Sequence, residues 1–111
     1  MVAALLRISN KDKFELIVAG EIIEHLANPG NLLKVLRQIS CPLLITVPNA
    51  FSSAAAGHLS AGTENVNKAH VSWYSYTTLL TLTMRYNYSL KEFYWYSGKP
   101  LFAEGLIFLL A

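Results

Sequence analysis

An α/β fold is predicted by three features of the sequence. Two short apolar runs, FELIVAG (Phe14 to Gly20) and PLLITV (Pro42 to Val47), alternate with stretches whose leucines recur at helical spacing. The chain then closes on a partly alternating segment and an apolar run joined by a turn, the pattern of an antiparallel hairpin. No internal repeat or change of composition divides its 111 residues, so residues 1–111 are expected to form one small domain.

Each element has a local cause. FELIVAG is β-branched at its centre and apolar at successive positions, which predicts a central strand covered on both faces, ending at Gly20. Asn28 followed by Pro29 is a helix start: asparagine can accept from free N–H groups, and proline at the first helical position loses nothing by lacking its own. Leu32, Leu33, Val35, Leu36 and Ile39 form an apolar stripe, with Lys34, Arg37 and Gln38 on the other side. Pro42 to Val47 is expected to be a second buried strand, stopped by Pro48 and Asn49. Residues 50–69 are small and polar without a sustained period and predict a long loop over the end of the sheet, the kind of segment that often forms a functional lid. Ser75 can cap a helix through Leu79, Leu80, Leu82 and Met84, with Asn87 as a left-handed terminator. SLKEFYWY and the run from Glu104 to Ala111 then form the closing hairpin.

Composition narrows the function. With 53% hydrophobic and 14% charged residues the chain is neither a disordered tail nor a polyelectrolyte, and its 9 basic and 7 acidic residues give a net charge of +2 with no basic block. No polyanion partner follows. The single cysteine, Cys41, cannot form an internal disulfide and sits among apolar residues, which points to a buried thiol and a reducing, cytoplasmic setting. No uncharged run approaches the ~20 residues of a membrane span. There are no zinc-type cysteine pairs, phosphate loop or Ser-His-Asp order, and GHLSAG around His58 lacks the spacing of a nucleophile elbow.

The stretch AGEIIEHLANPG carries the chemistry. Ala19, Gly20 and Glu21 stand at the carboxyl end of a strand, where open α/β sheets bind ligands and small residues let a ligand approach the backbone. Glu21, Glu24 and His25 fall at i, i+3 and i+4, so on a helical turn they project to one side. Two readings stand. Converging carboxylates and imidazole suit a divalent cation, Mg²⁺ or Mn²⁺ from the oxygens, with Zn²⁺ compatible with the histidine. Alternatively, the acidic residues merely favour a helix N-terminus and His25 bonds locally. Downstream, Trp73, Tyr74 and Tyr76 could shape an acceptor pocket or pack in the core.

FELIVAGEIIEHLANPGNLLKVLRQI, then LLITVPNAFS and later HVSWYSYTTLLTL, resemble the C-terminal half of a class I S-adenosylmethionine-dependent methyltransferase, over roughly Lys13 to Ala111. The Glu-x-x-Glu-His cluster is similar to that of metal-dependent small-RNA 2′-O-methyltransferases and ubiquinone-pathway O-methyltransferases. The resemblance implies a partial Rossmann-like sheet, drawn from the order 3-2-1-4-5-7-6 with strand seven antiparallel. Phe14 to Gly20 would be strand four, Leu43 to Val47 strand five, and the terminal segments strands six and seven. It implies S-adenosylmethionine as cofactor beside Ala19, Gly20 and Glu21, and a metal site of Glu21, Glu24 and His25 completed by His70. His70 or His25 would accept the acceptor's proton, and Asn49, Trp73 and Tyr74 would lie toward a small-molecule or RNA acceptor.

The departure from the family is large. Nothing like its glycine-rich loop, G-x-G-x-G, occurs, nor the acidic residue that ends strand two; Met1 to Ile8 could match the end of strand three, with Ala3 or Ala4 where an acidic adenine contact is usual. Two functions follow as expectations: a methyltransferase, or a fragment of one; or a catalytically inactive half-domain acting as an interaction module or truncated gene product. Either way, strand 14–20 is expected to be an exposed edge that self-associates or pairs with a missing N-terminal half.

Overall fold

The computed structural model describes residues 14–111, so the expected end of strand three at Met1 to Ile8 lies outside the described residues. The elements run β1 (Ile17–Gly20), a 3-10 turn (Ile23–His25), α1 (Pro29–Arg37), β2 (Leu43–Pro48), α2 (Ser53–Ser60), α3 (Tyr76–Arg85), β3 (Leu90–Tyr96) and β4 (Gly105–Leu110). They form a four-stranded sheet in the order β1-β2-β4-β3. β1 and β2 are parallel, whereas β4 runs antiparallel to both β2 and β3. In the family's numbering this is 4-5-7-6 with strand seven reversed, the expected order. One consequence positions the site: the carboxyl ends of β1, β2 and β3 share one edge of the sheet.

One face of the sheet is closed. Ile17, Ala19, Leu43, Ile45, Val47, Leu106, Phe108 and Leu110 are all buried and join Leu32, Leu33 and Leu36 of α1 and Leu79 of α3 in a single core. The expectation that the first strand is covered on both faces is corrected: Val18 is 52% exposed, and β1 alternates buried and exposed among the described residues. The sequence is apolar at both parities, but α1 and α3 supply apolar stripes to one parity only. β1 is also an edge, since its one described partner is β2.

Helix starts follow their sequence signals with one exception. Asn28 occupies the cap position of α1, but its side chain makes no capping bond; its carbonyl accepts from Asn31 N–H instead. Gly30 makes room in the first turn, because a Cβ there would lie 2.0 Å from the Tyr86 hydroxyl and the ring would have to move, so the missing side chain lets Tyr86 at the end of α3 settle on α1. α3 begins in a full capping box between Ser75 and Thr78, and Asn87 ends it at φ 66°.

The second correction concerns the expected loop over residues 50–69, which contains α2. Ser52 accepts from Ala55 N–H as its cap, and Ala54, Ala55 and Ala56 carry the highest helix propensity of any residue type. No leucine-type stripe betrays it, because α2 buries only Ala55. Cys41 is buried, as expected of a packing thiol. No helix among the described residues is long and apolar enough to cross a membrane.

Candidate active site

The turn after β1 is built under constraint. Glu21 adopts φ 52°, a left-handed conformation uncommon outside glycine, and its N–H is held by both the carbonyl (3.0 Å) and the Oγ1 (3.1 Å) of Thr46 on β2. Such an outlier persists only when its surroundings fix it, and it lies at the ligand edge of the sheet. The chain then tightens into the 3-10 turn, which buries Glu24 and leaves His25 exposed.

The segment around His70 is fastened to that turn by its backbone. The Glu24 carbonyl accepts from Val71 N–H (2.9 Å) and Ser72 N–H (3.2 Å), while the Ala69 carbonyl lies 3.1 Å from His25 Nδ1. Asn67 shapes the approach, accepting from Ala69 and His70 N–H groups. These bonds bring the His25 and His70 rings edge to face, with centroids 4.6 Å apart. One ligand atom from each of Glu24, His25 and His70 lies within 4.8 Å of the others. The bond to Ala69 places a proton on His25 Nδ1 and leaves Nε2 as the acceptor nitrogen.

The cluster is electrostatically unfinished. Glu24 is 2% exposed, yet neither carboxylate oxygen has a hydrogen-bond partner, and His70 Nδ1 is likewise buried and unpartnered. Burial, reinforced by the adjoining Glu21 carboxyl, pushes Glu24 from the ordinary 4.5 up to about 7. The two carboxyls can share a hydrogen bond only when one is protonated, because both are otherwise acceptors. Buried polar groups in folded proteins are nearly always paired, and an ionised one left alone is costly. A divalent cation supplies the missing partner for an orphan carboxylate and two imidazoles, so the donor set fits a metal.

Each residue singled out from the sequence has a definite place. Gly20 and Glu21 are exposed at the edge, but Ala19 is fully buried, so its methyl belongs to the core and only its backbone borders the ligand edge. Glu21 stands beside the three-residue cluster, its Oε1 accepting from the Tyr96 hydroxyl at 2.6 Å. Asn49 is committed structurally: its amide donates to the carbonyls of Leu101 (2.9 Å) and Ala103 (2.8 Å), and its oxygen accepts from Phe51 N–H. These bonds make Asn49 a buried lock between β2 and the β3–β4 connection. Tyr74 is also buried, and burial raises its pKa. Tyr76 packs on Phe93 and Phe108. Trp73 differs, lining with His70, Ala55, Leu59, Val66 and Glu64 a cavity of about 330 Å³ beside the cluster.

Sequence reasoning missed Thr46, Ala69 and Tyr96, whose roles arise from strand pairing and backbone contacts. The one available signal for Tyr96 is its position immediately before a turn at the end of a strand.

No protein-family model matches the sequence, and no curated protein matches it. Solved structures do. The chain is similar to the small RNA methyltransferase HEN1 (TM-score 0.74, 18% identity, 96% of this chain and 15% of that chain). It is similar to a SAM-dependent methyltransferase from Archaeoglobus fulgidus (TM-score 0.69, 11% identity, 98% and 63%). It is also similar to magnesium protoporphyrin IX methyltransferase from Synechocystis PCC 6803, solved with bound SAH (TM-score 0.65, 8% identity, 96% and 47%). The chain thus spans between 15% and 63% of the length of these structures. Its sheet is a partial class I S-adenosylmethionine-dependent methyltransferase fold, corresponding to strands four to seven.

Proposed function

We propose that the chain is part of an S-adenosylmethionine-dependent O-methyltransferase whose acceptor hydroxyl is activated at a divalent metal centre. The observation that carries this reading is the convergence of Glu24, His25 and His70, two of which hold buried polar atoms without a partner, beside the left-handed Glu21. In this fold that edge faces the cofactor. Two imidazoles beside the carboxylates suit Mn²⁺ or a later first-row ion better than Mg²⁺, which prefers an all-oxygen shell.

Glu24, His25 and His70 would hold the ion, with Glu21 adjoining. When bound, the metal lowers the pKa of an acceptor hydroxyl, so that attack at neutral pH needs no strong base. A histidine that ligates through one nitrogen keeps its proton on the other, so His25 and His70 act as ligands rather than as proton acceptors. The Ala69 carbonyl orients His25, and the bonds to the Glu24 carbonyl keep His70 in place. Trp73 and the cavity give the acceptor a partly apolar bed. Bound S-adenosylmethionine would supply a sulfonium methyl for in-line attack by the acceptor oxygen, with the sulfur leaving as a thioether and the hydroxyl proton passing to solvent. Likeness to a small RNA methyltransferase makes a ribose hydroxyl of RNA the first acceptor to test. An inactive interaction module gives no reason to retain an orphan buried carboxylate, which costs on the order of 1–3 kcal/mol.

The sequence lacks a glycine-rich cofactor loop, so this chain alone should bind S-adenosylmethionine more weakly than micromolar; the edge of β1, unpaired among the described residues, is where a half carrying such a loop would dock. Calorimetry of the 111-residue chain, alone and mixed with a methyltransferase half bearing strands one to three, checks both statements. Micromolar binding, about 8 kcal/mol, and Mn²⁺-dependent methylation of RNA are expected only from the mixture. Micromolar binding by the chain alone, or transfer indifferent to Mn²⁺, contradicts the reading.

The same edge should make the isolated chain self-associate. Light scattering at tens of micromolar, roughly the range in which exposed edges pair, should show dimers or larger species, and Val18→Lys should reduce them; a monomer at all concentrations would count against an open edge.

A further inference from the structure

The open face of the sheet carries a side chain that strand pairing does not explain. Tyr96 is the last residue of β3 and is paired with Gly105 of β4. A Cβ at residue 105 would stand 1.7 Å from Cζ of the Tyr96 ring, so the ring can lie across β4 only because residue 105 is glycine. The hydroxyl of this half-buried residue then reaches the opposite edge of the sheet and donates to Glu21 Oε1 at 2.6 Å, a contact between residues 75 positions apart. At that end the Glu21 backbone is fixed independently by Thr46. Glu21 is therefore held at both its backbone and its carboxylate, although it is exposed and on a turn.

This arrangement matters because Glu21 and Glu24 present two carboxylates side by side. A free Glu21 side chain would swing toward solvent, away from its like-charged neighbour. A phenol donating to Oε1 counters that tendency: it anchors the carboxylate near the cluster, draws charge from one oxygen and leaves the other oxygen for a cation. We infer that Tyr96 is a positioning residue of the metal centre, acting through Glu21 and admitted to its place by Gly105. The inference rests on the metal reading above and adds to it a residue from the opposite edge of the sheet.

The test uses the full chain and Mn²⁺ alone, with free ion counted by electron paramagnetic resonance. Tyr96→Phe keeps the ring over Gly105 and removes only the hydroxyl. It should weaken Mn²⁺ binding about tenfold, the lower end of the range for lost outer-shell partners, with no change in the urea midpoint. Tyr94→Phe is the matched control, since its hydroxyl donates to Glu92 on exposed β3, away from the cluster; its Mn²⁺ affinity should equal that of the unaltered chain. Gly105→Ala, which displaces the ring with its hydroxyl intact, should weaken binding in the same direction, and combining it with Tyr96→Phe should add little. Tyr96→Phe binding Mn²⁺ within twofold of the unaltered chain overturns the positioning role while the metal centre stands. An unaltered chain that binds no Mn²⁺ removes the metal reading, and the role of Tyr96 with it.

Discussion

Glu24→Gln is expected to abolish Mn²⁺ binding, by more than ~100-fold because loss of outer-shell partners alone costs ~10–100-fold, and yet to stabilise the metal-free protein above neutral pH. The stabilisation follows from burial. Glu24 has its pKa raised from 4.5 to about 7 in the folded chain, so the folded state holds a proton that the unfolded state has already lost. Between those values the native state binds more protons, and stability falls as pH rises; below 4.5 the full stability is present, and above about 7 the loss is complete. Glutamine carries no charge to desolvate and should remove that slope. Urea unfolding with chelator present should give Glu24→Gln an advantage on the order of 2 kcal/mol at pH 8 and little at pH 4.5. Mn²⁺ binding near pH 6.5 should conversely release a proton from the unaltered chain, because the cation takes the place of the proton on Glu24. A variant no more stable than the unaltered chain at pH 8 would mean that Glu24 is solvated or paired.

His70→Ala is the second substitution with a large expected effect. His70 lies on a loop, and the bonds that hold this loop to the Glu24 carbonyl come from the backbone of Val71 and Ser72, which alanine at residue 70 leaves in place. The fold should therefore persist, with an unfolding free energy within about 1 kcal/mol of the original, the usual scale for substitutions outside the core. Mn²⁺ affinity should fall more than ~30-fold, since an inner ligand is lost where outer-shell losses already reach ~10–100-fold. Calorimetric titration and urea unfolding on the same preparation separate these outcomes. Loss of affinity together with loss of fold would make His70 a packing residue.

Much of the architecture was legible because local chemistry and topology agree. The leucine stripe of α1, the Ser75 cap of α3 and the left-handed Asn87 all follow from residue type, and the alternation of runs gives the order of elements. α2 was not legible because it is helical by alanine propensity and a serine cap, without the apolar period that marks a packed helix. The one-sided covering of β1 was hidden as well, since a strand apolar at both parities carries no record of which helices reach it.

The site divides in the same way. Glu24 and His25 stand together in the sequence, and His70 enters through family resemblance; the backbone bonds from Val71 and Ser72 to Glu24 give the physical reason they meet. The structural bonds of Asn49 were not legible, because an amide at a strand end serves a substrate or a neighbouring loop equally well, and the carbonyls of Leu101 and Ala103 come into range only once the β3–β4 connection is folded. Tyr96 could not be found at all without the strand order, since its contact with Glu21 crosses β4 and β2.

The most direct measurement is an anomalous difference map from crystals of the chain grown with Mn²⁺. The expected result is a single strong peak within roughly 2.0–2.3 Å of a Glu24 carboxylate oxygen and of one ring nitrogen each of His25 and His70, distances ordinary for a first-row divalent ion. An ordered Glu24, His25 and His70 with no peak between them, or a peak bound only by surface carboxylates elsewhere, would contradict the account.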